Sequence, residues 1–193
     1  GTLQDRGHDT KEGEARYRYV VEAKLVGPEG TMFSLMSEFM DMHDPVRDKE
    51  DCELNAFHRL AKRLHKEFPR LFICLLLDSL YPVRPVFDLC EANGWKYVVT
   101  FKPGSLPAVW EEFEALRALC PENRKPHDPT DGCHQEFAWV GDLSYVDDQK
   151  RRHVFNALEC REQKGNEQHY FAWITNFSVQ ADNVATLGNR GGR

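Results

Sequence analysis

Apolar and polar positions alternate loosely from Arg16 to Val26, a stretch rich in Tyr and Val, and a second run of the same kind covers Thr31 to Met40 with Phe33, Leu35 and Phe39. Gly27-Pro28-Glu29-Gly30 separates the two runs, so the pattern predicts a long antiparallel hairpin. After a loop over Asp41 to Arg47 the period changes from two to that of a helix. Phe57, Leu60, Ala61, Leu64 and Phe68 recur on one face, while Arg59, Lys62, Arg63 and Lys66 fall outside that stripe. Asp48 is the expected N-cap, Glu50, Asp51 and Glu53 complement the positive end of the helix dipole, and Pro69 ends the helix.

Leu71 to Leu77 is continuously apolar and stops at Asp78, which predicts a strand buried on both faces. Val83, Val86, Phe87 and Cys90 then mark a short helix closed by Asn93-Gly94. Trp95 to Phe101 reads as a second buried strand ending at Lys102, and Ser105 as the cap of a helix carrying Val109, Trp110, Phe113, Leu116 and Leu119. A strand–helix–strand unit of this length implies a right-handed parallel crossover. The expected fold class is therefore α/β, with a mixed sheet that is antiparallel at the hairpin and parallel at its centre. Pro121, Pro126, Pro129 and Gly132 interrupt this order. Beyond them, Phe137–Val140, Leu143–Val146, Val154–Cys160 and Tyr170–Thr175 are short, aromatic and alternating, and read as strands. The expected organisation is a single domain: a flexible polar start over 1–14, an α/β core over 15–119, a β-rich addition over 120–175, and a polar tail over 176–193.

Composition narrows the classes. The chain has 193 residues, 41% of them hydrophobic and 29% charged, enough for a buried core. No apolar run approaches the roughly 18 to 20 residues of a membrane span, and no signal peptide is visible, so the expected location is the cytoplasm. A net charge of −6 argues against a dedicated duplex-binding module but suits an acidic catalytic core. None of the six cysteines forms a C-x-x-C pair, and the expectation is free, buried thiols in a reducing compartment. A zinc site from Cys120, His127, Cys133 and His134 is the sharper alternative.

Asp78 is the candidate for chemistry. A carboxylate at the C-terminal end of a buried central strand stands where α/β folds place ligands and catalysts; the plainer alternative is a turn or cap residue. Lys102 ends the next strand, so in a parallel pair both would project from one sheet edge, where a Lys can grip a phosphate or pair with the carboxylate. Ser79 has no Gly-x-Ser-x-Gly elbow around it, and no glycine-rich phosphate loop occurs. His58 and His65 sit on the amphipathic helix as ordinary helix residues.

The stretches "YRYVVEAKLVG", "DCELNAFHRLAKRLHKEFPRL", "ICLLLDSLYPVRPVFDLCEANGWKYVVTFKPGSLPAVWEEFEAL" and "YFAWITNF" resemble insertion-sequence transposases of the DDE family, from about Arg16 to the C-terminus. The block around Asp78 is the most specific part. The resemblance implies a ribonuclease H-like fold: three antiparallel strands, a helix, then alternating strands and helices, with the β-rich addition as the family's insertion. It implies DNA strand cleavage and strand transfer in a bacterial cytoplasm, with Mg²⁺ (or Mn²⁺) held by three carboxylates, DNA as partner, and pairing of two copies. Asp78 maps onto the family's second Asp, as catalytic and metal-holding residue; Lys102 would be a DNA contact. The first Asp and the final Glu are expected outside this chain, so the chain alone is expected to be inactive and to bind metal weakly or not at all. The alternative is an inactive or domesticated, transposase-derived DNA-binding module.

Overall fold

A computed structural model describes residues 2–5, 16–27, 30–40, 49–129 and 132–191, in two compact units, 1–71 and 72–193.

In the first unit β1 (Thr2–Asp5), β2 (Arg16–Val26) and β3 (Met32–Phe39) form an antiparallel sheet in the order β1-β2-β3. The hairpin β2–β3 is the predicted one, and its turn residues Pro28 and Glu29 lie outside the described residues. Its ladder pairs Val26 with Met32 and Leu25 with Phe33, and shifts register between Ala23 and Lys24. Thr2–Asp5, expected within a flexible start, instead pairs with Arg16–Tyr19, because strand pairing satisfies backbone groups whatever the side-chain polarity. The remainder of 1–14 lies outside the described residues.

Helix α1 (Lys49–Glu67) buries Phe57, Leu60, Ala61 and Leu64 of the predicted stripe, with Ala56 beside them, while Phe68 lies just past the helix and is half-buried. Asp48, read as its cap, and the side chains of Glu50 and Asp51 lie outside the described residues. Glu38 of β3 receives Arg59 Nε at 2.7 Å and Arg63 Nη1 at 2.9 Å. The same two guanidinium groups donate to the carbonyls of Phe39 and Ser37.

The second unit is built on a six-stranded sheet in the order β4-β5-β9-β8-β7-β6. Its strands are β4 (Cys74–Leu77), β5 (Lys96–Thr100), β6 (Arg124–His127), β7 (Cys133–Val146), β8 (Arg152–Lys164) and β9 (Glu167–Thr175). Among the described strands of this sheet only β4 and β5 are parallel, joined through α2 (Arg84–Ala92) as the crossover rule requires; every other neighbour is antiparallel. The expected single mixed sheet, antiparallel at the hairpin and parallel at its centre, is corrected on both points: the hairpin β2–β3 lies in the separate three-stranded sheet, the parallel pair stands at one edge of the six-stranded sheet, and its antiparallel company comes from the C-terminal strands.

The register puts Tyr97, Val99, Phe155, Ala157, Glu159, Ala172 and Ile174 on one face, under α2 and α3 (Pro107–Leu119). Phe87 of α2 packs on Tyr97 and Phe155, and Trp110 and Phe113 of α3 on Phe101. The opposite face carries Val98, Phe137, Trp139, Leu158, Cys160 and Trp173, closed by Val179 and Val184.

Further expectations are corrected. The run Leu71–Leu77 is not a strand buried on both faces: β4 holds only Cys74–Leu77, pairs with β5 alone among the described residues, and leaves Leu71, Phe72 and Leu76 exposed. Cys74 is accordingly exposed, while Cys90, Cys133 and Cys160 are buried thiols and Cys120 is half-buried. Ser105 is not the cap of α3; that place falls to Leu106, with Pro107 opening the first turn. The polar tail carries α4 (Val184–Arg190), whose Val184 and Gly188 are buried against the sheet. A Cβ on Gly188 would stand 2.5 Å from Phe137 Cε1, so the helix approaches this closely only because that side chain is missing. No helix among the described residues is long and apolar enough to cross a membrane.

Candidate functional site: the edge beyond the parallel strands

Both sequence candidates emerge at the C-terminal edge of the parallel pair. Leu77 aligns with Val99, so Asp78 leaves β4 level with Thr100, and Lys102 follows two residues later. Both side chains are exposed. The edge is ordered by its own hydrogen bonds. Asp78 Oδ1 accepts the Leu80 amide at 2.8 Å, and the Asp78 carbonyl accepts that of Tyr81 at 3.3 Å. Asp78 therefore shapes the turn that leads toward α2, as Asp commonly does. Across the edge, Ser105 Oγ donates to the Ser79 carbonyl at 3.3 Å, and the Ser105 amide to the Lys102 carbonyl at 3.0 Å. The loop after β4 and the loop after β5 are thereby tied together.

Asp78 does not by itself make a site for Mg²⁺ or Mn²⁺. Such ions need several oxygen ligands, and one of the two Asp78 oxygens is engaged with the Leu80 amide. Among the described residues no three of His, Cys, Asp and Glu converge to hold a metal. The zinc alternative is not assembled either. Cys133 is buried, its strand neighbour His134 is exposed and pairs with Asp128 at 2.5 Å, and His127 packs against the Phe137 ring.

Beside Lys102 lies a largely apolar hollow of about 380 Å³, lined by Pro103, Trp110, Tyr170 and Trp173 among others. Its Tyr170 wall belongs to a charged group that sequence reasoning missed. Glu159, 3% exposed, accepts from Tyr170 Oη at 2.8 Å and from Arg117 Nη1. Burial, together with the Glu159 charge and hydrogen bond, pushes the Tyr170 hydroxyl well above its ordinary range.

A second missed cluster closes the β7–β8 hairpin. Asp147 Oδ1 accepts the amides of Gln149 at 2.9 Å and Arg151 at 2.8 Å; Oδ2 accepts Arg151 Nε at 3.1 Å and meets His153 Nε2 at 3.2 Å. Arg151 Nη2 reaches on to Asp88 Oδ2 at 2.6 Å. The run Val146-Asp147-Asp148-Gln149-Lys150 carries a turn signal that points to this hairpin.

Burial alone would raise the Asp147 carboxyl. The Arg151 amide, the His153 ring and the Arg151 guanidinium outweigh it and hold the group at about 2. A carboxyl lowered on folding contributes stability that is complete above its ordinary pKa near ~3.9 and is lost as pH falls toward 2. The urea midpoint is therefore expected to drop between about pH 5 and pH 2, and Asp147→Asn to be less stable at pH 7 with a shallower acid slope; equal slopes in the two proteins would refute the assignment.

Set against protein-family models and curated proteins, the chain finds no match.

Proposed function

We propose that this chain is part of the catalytic core of a DDE insertion-sequence transposase with a ribonuclease H-like fold, acting in the bacterial cytoplasm on DNA. Asp78 is one of its metal-holding carboxylates and Lys102 a DNA contact. The observation that carries the reading is the placement of Asp78: a carboxylate immediately after a strand of the parallel pair, level with the loop that bears Lys102. The stretch from Ile73 to Leu116, which resembles that family and runs through this same edge, supports it.

When bound, Mg²⁺ would activate the attacking water or 3′-hydroxyl and stabilise the leaving oxygen. The described residues do not supply enough ligands for that; the resemblance implies that the other carboxylates belong to sequence on either side of this stretch. The parent gene tests this. An Asp on an apolar strand upstream and a Glu on a helix downstream are the expected finding; replacement of both acids would turn the reading to a non-catalytic DNA-binding relic.

The second test is biochemical. The chain alone is expected to leave supercoiled plasmid intact in Mg²⁺ or Mn²⁺. The protein with its flanking segments restored is expected to nick it, and Asp78→Asn there to lower nicking at least ~10²-fold, as loss of a ligand that orders the reacting centre should. Nicking that persists undiminished in Asp78→Asn removes Asp78 from the site.

A further inference from the structure

We propose that the outward face of α1 is a docking surface for the sugar-phosphate backbone of duplex DNA, with Lys62 and Lys66 as its principal contacts. The inference rests on the DNA-processing reading above but concerns a different part of the chain.

The sequence of α1 is unusual within an acidic protein. Between Asn55 and Lys66 there is no Asp or Glu, although the whole chain has a net charge of −6. At 100° per residue, Lys62 and Lys66 stand opposite the stripe formed by Phe57, Leu60, Ala61 and Leu64. Both are exposed, and neither is tied to a carboxylate among the described residues. Arg59 and Arg63 flank them; these two guanidinium groups share the single carboxylate of Glu38 and leave one positive charge over. Arg70, just past the helix, is also exposed.

Helix-dipole complementation accounts for Lys66, in the last turn, but not for Lys62 and Arg59, which lie beyond its reach. Arg59 to Lys66 spans roughly 10 Å along the axis, about one Debye length at moderate salt, so the charges act as one patch. A rigid helix presenting such a row, in which Glu38 offsets one charge of the Arg59–Arg63 pair and Lys62 and Lys66 stay uncompensated among the described residues, complements a polyanion whose charges recur every ~1.7 Å of duplex. Burial, and then the Lys62 charge, also hold His58 below its ordinary range.

The test is the salt dependence of binding of the full chain to a labelled duplex of about 30 base pairs, followed by fluorescence anisotropy. For Lys62→Gln/Lys66→Gln the slope of log K against log salt is expected to fall by about 1.8, and affinity at low salt by roughly 100-fold, since each phosphate contact contributes about 0.9 to the slope. Lys62→Arg/Lys66→Arg is expected to keep the slope, and both variants the wild-type melting temperature, because the side chains are solvated. If the wild type binds and the Gln variant keeps its slope, the surface is wrongly placed while the transposase reading stands. If the wild type binds no duplex even at low salt, the surface proposal is overturned, and the flanking acids of the gene still decide the functional reading.

Discussion

Trp173→Ala is expected to destabilise the second unit by about 3 to 5 kcal/mol, the range for removing a fully buried aromatic side chain. Trp173 is 1% exposed and lies among Val98, Phe137, Leu158 and Val184. Phe171 stacks beside it with ring centres 5.9 Å apart. Its indole Nε1 donates to the Gly191 carbonyl at 3.1 Å, so one side chain both fills the core and anchors the end of α4. The two glycines of that region are fitted to it: a Cβ on Gly191 would stand 2.7 Å from the indole nitrogen, and one on Gly188 3.3 Å from the ring. Truncation leaves a cavity that rigid β9 and α4 can fill only by α4 moving in.

The melting temperature should fall by roughly 10 to 20 °C, given about 4 °C per kcal/mol for a unit of this size. Trp173→Phe keeps most of the volume but loses the bond to Gly191, and should cost about 1 to 2 kcal/mol. Thermal unfolding followed by circular dichroism separates the two. An alanine variant that melts within a few degrees of wild type would mean that α4 is not part of the folded core.

What the sequence made legible follows from what hydrophobic periodicity encodes. The stripe of Phe57, Leu60, Ala61 and Leu64 identified α1, and Val86, Phe87 and Cys90 with Asn93-Gly94 identified α2 and its end, because an apolar face repeated at helical spacing over two or more turns is the mark of a helix packed on one side. The strand–helix–strand order likewise implied the parallel β4–β5 pair, and with it the shared edge of Asp78 and Lys102.

Where the pattern misled, the cause was context. Leu71 and Phe72 belong to an apolar run, but the run meets only one neighbouring strand, and composition does not say how many neighbours a strand has. Strand β6 was missed because it contains Pro126, which only an edge strand tolerates, and β6 is the edge. Gly141-Asp142 split β7 into two predicted strands. They are a bulge within one, with Asp142 at φ +58° and its amide held by Asn156 Oδ1 at 3.1 Å. The charged groups were the least legible, since Glu159 and Arg117 are 42 residues apart and nothing local marks Glu159 as buried.

That buried group carries the second large prediction. Glu159→Ala is expected to cost about 2 to 4 kcal/mol. The full penalty for orphaning a buried charge is about 3 to 5 kcal/mol, reduced here because the Arg117 side chain keeps 19% of its surface in water. The loss comes mainly from what is left behind. Arg117 lies over the Phe113 ring at 5.7 Å and loses the carboxylate that neutralises it, and the Tyr170 hydroxyl loses its acceptor. Glu159→Gln, which still accepts from Tyr170 but cannot neutralise Arg117, should fall between wild type and alanine. Replacing both partners, as Glu159→Leu/Arg117→Leu, should recover much of the loss, because a buried ion pair adds little over apolar side chains that fill the same space. Urea unfolding of wild type, the two single leucine variants and the double variant completes a double-mutant cycle, with an expected coupling of at least about 2 kcal/mol. A coupling near zero would show that Arg117 turns to solvent when Glu159 is removed, and that the wall beside the Trp110–Tyr170 hollow is held by apolar packing alone.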